Sequence, residues 1–456
     1  MKNEFRQVIK FTSKILDYWL PYKIRYEWTP SISVGILYDG KAVYKKGFGF
    51  ADIDKKIPAS SKTCYRIASI SKTFTSLAIF QLVEKGKLSL DDKIEKYIPW
   101  FKTENMNSEN ISIRQVLSHT AGVLRDGTTD HWLTDNFPDR SNLKKSINKN
   151  SIIFENLTRF KYSNFGYALL GEVIRNLSGL DYIEYTQKNI INKLDMKNTK
   201  PDYVNGNDDI LAFGYSKPYE FQKRECYPKN TETKVYAPAT GFVSNVDDLL
   251  KYLSGLTFNV KNSNSLVSKE AKKEMFREHW KIPGEENSYG LGFIISQIEK
   301  RKRIGHTGGF AGFETMISLD NENDLGVITL SNGNGSPNAL INKSIFETVY
   351  MLIDNKGKYW GGKKIENIER YQGLYRSRFG IVAIVSLDAN LFAFSTGIDS
   401  PLKGGVLLKP KGENKFLIDS ANTFDSEGEL VSFKFLKNEK KPSKMICGSN
   451  PMKRIG

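Results

Sequence analysis

Tyr65-Arg66-Ile67-Ala68-Ser69-Ile70-Ser71-Lys72-Thr73-Phe74 sets a serine and a lysine three positions apart where the sequence reads as the start of a helix. Residues at i and i+3 share one face of a helix, so the Ser69 hydroxyl and the Lys72 amine are expected to meet. A serine hydroxyl is a poor nucleophile until a neighbour takes its proton. A lysine can take it when burial and nearby positive charge lower its pKa enough to leave the amine neutral. The start of a helix adds unpaired backbone N–H groups, which favour a developing oxyanion. Ser69 is therefore the candidate nucleophile and Lys72 the candidate base. Alone, Ser-x-x-Lys has a simpler meaning, an N-cap before an apolar run, so the reading depends on its companions.

Residues 69–85 carry apolar side chains nearly all round, which predicts a central, buried helix, and Gly86 supplies its stop. Upstream, Phe5, Val8, Ile9, Thr12, Ile15, Leu16 and Trp19 recur at helical spacing between charged residues. Ser31–Tyr38 and Lys41–Phe48 flank Asp39-Gly40, the signature of a hairpin with a type I′ turn. Downstream, Phe165–Leu177 and Asp247–Leu256 read as helices. Strands follow at Gly305–Gly309, Gly312–Leu319 and Leu325–Leu330, and Ser336-Pro337 opens a last helix. The pattern predicts an α/β (α+β) domain over 1–354. Its one antiparallel sheet, with outer strands from both ends of the domain, is flanked by helices and carries a helical subdomain. A polar linker, 355–368, comes next. Its Gly357–Lys364 stretch approaches a phosphate-binding loop but ends in Lys and follows a helix, which excludes that reading. Short alternating runs from 369 to 456 predict a small antiparallel barrel or sandwich.

Two further segments accompany Ser69. In Lys161-Tyr162-Ser163-Asn164-Phe165-Gly166, Tyr162 can relay a proton between the serine and a leaving group. Asn164 can hold a substrate carbonyl or amide, or cap the helix that follows. In Gly305-His306-Thr307-Gly308-Gly309, the glycines let a substrate backbone lie close to a strand edge, and His306 and Thr307 face its far end. In this order the three segments resemble the serine β-lactamase and penicillin-binding-protein superfamily: Ser-x-x-Lys, Tyr-x-Asn, then Lys/His-Thr-Gly. Val116–Val123, Tyr236–Val243 and Tyr289–Phe293 resemble recurring segments of its class C-like branch, which includes D-aminopeptidases, D-Ala-D-Ala carboxypeptidases and family VIII esterases. The resemblance covers roughly residues 20–355, and the C-terminal region is similar to the lipocalin-like barrel of some D-amino-acid peptidases.

The resemblance implies a serine hydrolase with Ser69 as nucleophile, Lys72 as base and Tyr162 as proton shuttle. Asn164, His306, Thr307 and Gly308 would bind substrate, and the N–H groups of Ser69 and Gly309 would form the oxyanion hole. His119 would belong to a structural loop, while His131 and His279 match no motif and are expected at the surface. One departure bears on substrate. Lys is usual at the third motif of β-lactamases and many carboxypeptidases; His306 is largely neutral at pH 7 if unperturbed. That favours peptides, amides or esters without a carboxylate at that point, including D-amino-acid substrates with a free amine. An esterase, a β-lactamase and a penicillin-binding sensor that acylates without turnover are the alternatives.

Composition narrows the remaining classes. The chain has 456 residues, 39% hydrophobic and 26% charged, enough for a sizeable core. Its net charge of +16 is spread among interleaved acids, with no basic block and no RNA-binding motif, so no nucleic-acid partner is expected. Cys64, Cys226 and Cys447 form no pair, which argues against disulfides or zinc; Cys64 reads as a buried structural thiol. No cofactor or metal is expected, and no membrane span or signal peptide is seen, so cytoplasmic residence is the expectation. The partners implied are a small-molecule or peptide substrate and, compatibly, further copies of the chain.

Overall fold

Asp39 and Gly40 take φ of +50° and +70°, the pair of left-handed residues that a type I′ turn needs. They join strands Ser31–Tyr38 and Lys41–Asp52 in the computed structural model of the chain. It describes residues 2–101, 110–147, 150–203, 210–219, 223–228, 231–259, 265–355, 359–360, 365–419 and 427–456. Residues 356–358 and 361–364 of the expected linker, and with them most of the phosphate-loop-like stretch, lie outside these residues. Two units are distinguished: Thr29–Asn342, and Met1–Trp28 together with Lys343–Gly456.

The first unit is built on a nine-stranded sheet whose pairings are all antiparallel. Every residue of Ser31–Tyr38 is buried, because that strand is interior. It pairs with Lys41–Asp52 on one side and with Leu325–Ser331 on the other, Ile36 opposite Val327. The first and last strands of the domain thus meet inside the sheet. Its edges are the short strands Ile57–Pro58 and Trp280–Lys281, not the outer strands expected from sequence. Beyond Leu325–Ser331 the order runs through Phe313–Asp320, Arg301–Phe310 and Ile294–Ile298.

Helices cover the sheet where side chains are small enough to admit them. A Cβ on Gly35 would lie 2.6 Å from Val246 Cγ1, so glycine there lets the Val246–Leu256 helix rest directly on the strand. The Ser71–Glu84 helix is central: Ser71 through Leu82 are all buried. Its Phe74 ring stacks between Phe242 and Tyr252, with centroids at 4.4 and 4.0 Å. Full burial of such a ring contributes roughly 1.5–3 kcal/mol. Gly86, at φ +65°, follows the end of this helix, and Gly179, at φ +74°, caps Asn164–Ser178.

In the second unit, eight strands from Gly373–Ser377 to Asn450–Arg454 close into a barrel in sequential order, the up-and-down arrangement of lipocalin-type barrels. Tyr371, Phe416 and Phe433 pack within it. The Lys2–Tyr26 helix belongs to this unit: the Trp19 indole N–H donates to the Ile398 carbonyl at 2.8 Å. Among the described residues no helix is long and apolar enough to cross a membrane.

Candidate active site

Ser69 is the one partly exposed residue between Thr63 and Leu82, where every other side chain is buried. It sits in a 3-10 turn, Ala68–Ile70, immediately before the Ser71–Glu84 helix. Ala68 adopts φ +48°, an unfavourable conformation for a residue with a Cβ. The surroundings hold it there. The Ser71 hydroxyl donates to the Ala68 carbonyl at 2.5 Å, and Ile67 N–H donates to Phe242 O at 2.9 Å.

Lys72 is fully buried, and its Nζ has three oxygen neighbours: Asn164 Oδ1 at 2.7 Å, Ala239 O at 2.8 Å and Ser69 Oγ at 3.1 Å. Burial pushes its pKa well below the ordinary 10.5, with Asp126 opposing and Arg125 reinforcing. A neutral amine has two N–H bonds and one lone pair. Ala239 O is an obligate acceptor. Asn164 Oδ1 is made one by the other end of the amide, whose Nδ2 donates to Asp126 Oδ1 at 2.6 Å. In the neutral form both hydrogens would go to these two acceptors, and the lone pair would face the Ser69 hydroxyl.

Tyr162 is hydrogen-bonded to Ser69, and burial raises its phenol above the ordinary 10. The Lys72 nitrogen lies 4.7 Å from the Tyr162 ring centroid, and the Arg125 guanidinium carbon 5.5 Å from it. Asn164 does not cap its helix. Ser163 does, accepting from Gly166 N–H at 2.7 Å, which leaves the Asn164 amide for Lys72 and Asp126.

The Arg301–Phe310 strand approaches from the other side. A Cβ on Gly308 would come within 2.2 Å of the Ile67 carbonyl, so glycine is what lets the strand lie against the serine-bearing turn. Pairing with Ile294–Ile298 ends at Gly305. From His306 onward the strand is paired only with Phe313–Asp320, leaving its other edge unpaired. Thr307 and Gly309 are exposed there, and a Cβ on Gly309 would meet nothing within 4 Å.

His306 lies on the opposite, inner face and is buried. Its Nδ1–H donates to the Thr307 carbonyl at 2.5 Å, which leaves Nε2 to accept from the Tyr289 hydroxyl at 2.8 Å. Burial first, and Lys72 second, lower its pKa from 6.5 to about 3, so the imidazole is neutral. His119, at φ +60°, is also buried and accepts the Ser163 N–H at 3.1 Å. His131 is not at the surface as expected: its ring is buried against Phe137 and Tyr236, centroids at 4.6 and 4.7 Å. Nor is the His279 side chain, which is 8% exposed beside Glu274. Aromatic rings cover His131 and Glu274 stands beside His279, and neither contact is visible as a motif. Burial raises the Cys64 thiol to about 12, which keeps it protonated at neutral pH.

Sequence reading missed Asp126, Arg125 and Tyr289. Asp126 fixes the Asn164 amide, and nothing in Arg125-Asp126-Gly127 announces that contact. Tyr289 had a signal, in the Tyr289–Phe293 segment, but no role attached to it.

The family model described as Beta-lactamase matches residues 23–349. "Protein flp" of Staphylococcus aureus (strain MW2) is 28% identical over 370 residues, covering 80% of this chain and 70% of that protein. "Serine beta-lactamase-like protein LACTB, mitochondrial" of Homo sapiens is 24% identical over 379 residues, 63% of this chain and 68% of that one. Among solved structures, the octameric penicillin-binding protein homologue from Pyrococcus abyssi aligns with a TM-score of 0.66 and 25% identity, covering 96% of this chain and 99% of that one.

Proposed function

The chain belongs to the beta-lactamase family of serine hydrolases, and we propose that it acts through an acyl-enzyme formed on Ser69. The observation that carries this reading is the Lys72 amine, buried, its pKa pushed well down by desolvation, with Nζ 3.1 Å from Ser69 Oγ and bonded to Asn164 Oδ1 and Ala239 O. In the first step the Ser69 oxygen bonds to the substrate carbonyl carbon as its proton passes to Lys72. The oxyanion is held by the N–H groups of Ser69 and Gly309. As the tetrahedral centre collapses, the bond to the leaving group breaks and that group takes a proton relayed through Tyr162. Water then attacks the ester, its proton goes back to the lysine, and the acid leaves as Ser69 is reprotonated. A phenol pushed upward is a poor resident base, which supports Lys72 in that role and Tyr162 as the relay.

The substrate reading follows from His306. A neutral imidazole, closed off by Tyr289, offers no fixed positive charge to a carboxylate. Peptide-like amides or esters without a carboxylate at that point, D-amino-acid derivatives among them, are the proposed class. Turnover of D-alanine anilide, L-alanine anilide and short nitrophenyl esters, compared with a penicillin, tests this. Faster turnover of the penicillin than of every carboxylate-free substrate would contradict it. Ser69→Ala should lower hydrolysis by at least about a thousandfold. The octameric state named for the Pyrococcus abyssi homologue supports self-association here, which light scattering would detect.

A further inference from the structure

A groove of about 550 Å³ opens on the exposed face of the Arg301–Phe310 strand, lined by Thr307, Gly309, Phe310, Trp132, Asn334 and Glu314 among others. Glu314 is the only charged residue lining it among the described residues. In the strand register Glu314 stands directly opposite Gly309, and opposed residues of an antiparallel pair project to the same face, with Cα atoms roughly 4.5–5.5 Å apart. The carboxylate therefore starts one strand away from the N–H proposed to hold the oxyanion.

Glu314 is short of positive charge. Gly335 N–H donates to its Oε1 at 2.6 Å. The stem of Lys217 runs beside Gly335, yet among the described residues no cation stands within ion-pair distance of Glu314. On the inner face of the same strand, His306 is neutral. The Trp132 indole, packed edge-on against Phe310 at 5.7 Å, lends the groove an aromatic wall. A carboxylate without a counter-charge, in a groove that an indole also lines, is a receptor for an organic cation.

We propose that Glu314 is a specificity-determining residue that receives a cationic group, an ammonium or quaternary ammonium, of the substrate bound along this strand. The inference rests on Ser69 being the acylated residue and adds a positive demand to the absence of a carboxylate.

The test compares isosteric substrates that differ only in charge. One pair carries the cation on the acyl side, the nitrophenyl esters of 4-(trimethylammonio)butyrate and 5,5-dimethylhexanoate. The other carries it on the leaving side, acetylcholine and 3,3-dimethylbutyl acetate. In the natural protein the kcat/KM ratio in at least one pair should favour the cation by about twofold to fivefold, within reach of one partly exposed charge pair, and should shrink with added salt. In Glu314→Gln, whose amide oxygen can still accept from Gly335 N–H, that ratio should fall toward one. Ratios that match between the two proteins in both pairs, with Ser69 acylated, would overturn this inference and leave the hydrolase reading standing. Failure of every ester to acylate Ser69 would overturn both.

Discussion

At the scale of single residues, the site holds two groups whose charged forms burial disfavours. Lys72 is poised to accept a proton because the protein withholds water from its ammonium form. Lys72→Arg keeps a cation that cannot deprotonate, so it should fold and be nearly inactive; wild-type turnover in that variant would remove lysine from the chemistry. His306 has a thermodynamic consequence as well. Its pKa is lowered from 6.5 to about 3 on folding, so between those values the unfolded chain binds more protons than the folded one. The stability it leaves intact above pH 6.5 is lost as pH falls through that window. Unfolding midpoints at pH 7, 5 and 4 should fall, and His306→Gln should make the descent shallower; an unchanged slope would show that His306 does not titrate on unfolding. Much of this scale could be read from sequence, because Ser69, Lys72, Tyr162, Asn164 and His306 each stand in a motif. The Asp126 contact that orients Asn164 could not, since it depends on a loop folded back over the helix start.

At the scale of elements, glycines decide how closely the strand and the serine-bearing turn approach. Gly308 faces the Ile67 carbonyl with no room for a methyl group, whereas Gly309 faces open space. Gly308→Ala should cost about 1–3 kcal/mol in denaturant unfolding, as overpacking does, and should lower activity by displacing the strand. Gly309→Ala should leave the unfolding midpoint nearly unchanged. Equal effects on stability would mean that the strand does not press on the turn. The hairpin at Asp39-Gly40 and the helices over Asn164–Ser178 and Val246–Leu256 were legible from turn residues and period. The apolar pattern starts the central helix at residue 69, whereas it begins at Ser71. Ser69 belongs to a 3-10 turn because Ala68 takes a left-handed conformation, and no glycine marks that in the sequence. Ile294–Ile298 went unread because Gly290 and Gly292 interrupt the run that leads into it.

At the scale of the molecule, sequence periodicity left a barrel and a sandwich open for the C-terminal segment, and the resemblance to lipocalin-like barrels pointed to the closed form that is found. Gly373–Ser377, Lys444–Cys447 and Asn450–Arg454 were not read as strands, being short, and Pro451 breaks the last one's pattern. These three strands close the barrel. Nor does periodicity reveal that the first helix belongs with the barrel unit, because the contacts span more than 370 positions, as in Lys23 to Asp399 at 2.6 Å. Trp19 and Lys23 are both buried. A chain cut after Asp354, at the boundary expected from sequence, would lose the Ile398 and Asp399 partners of that helix. It should therefore be poorly soluble and bind a hydrophobic dye. A monodisperse, dye-free fragment would show instead that 1–354 folds as an independent domain.

The most direct test of the central claim is the rate at which a fluorophosphonate labels the protein as a function of pH, with the modified residue located by mass spectrometry. If a neutral Lys72 activates Ser69, the adduct forms on Ser69 alone. The rate then falls about tenfold per pH unit once pH drops below a lysine pKa well under the ordinary 10.5. Ser69→Ala is unlabelled. Labelling at another residue, or a Ser69 rate that follows the ordinary titration of lysine near 10.5, would contradict it.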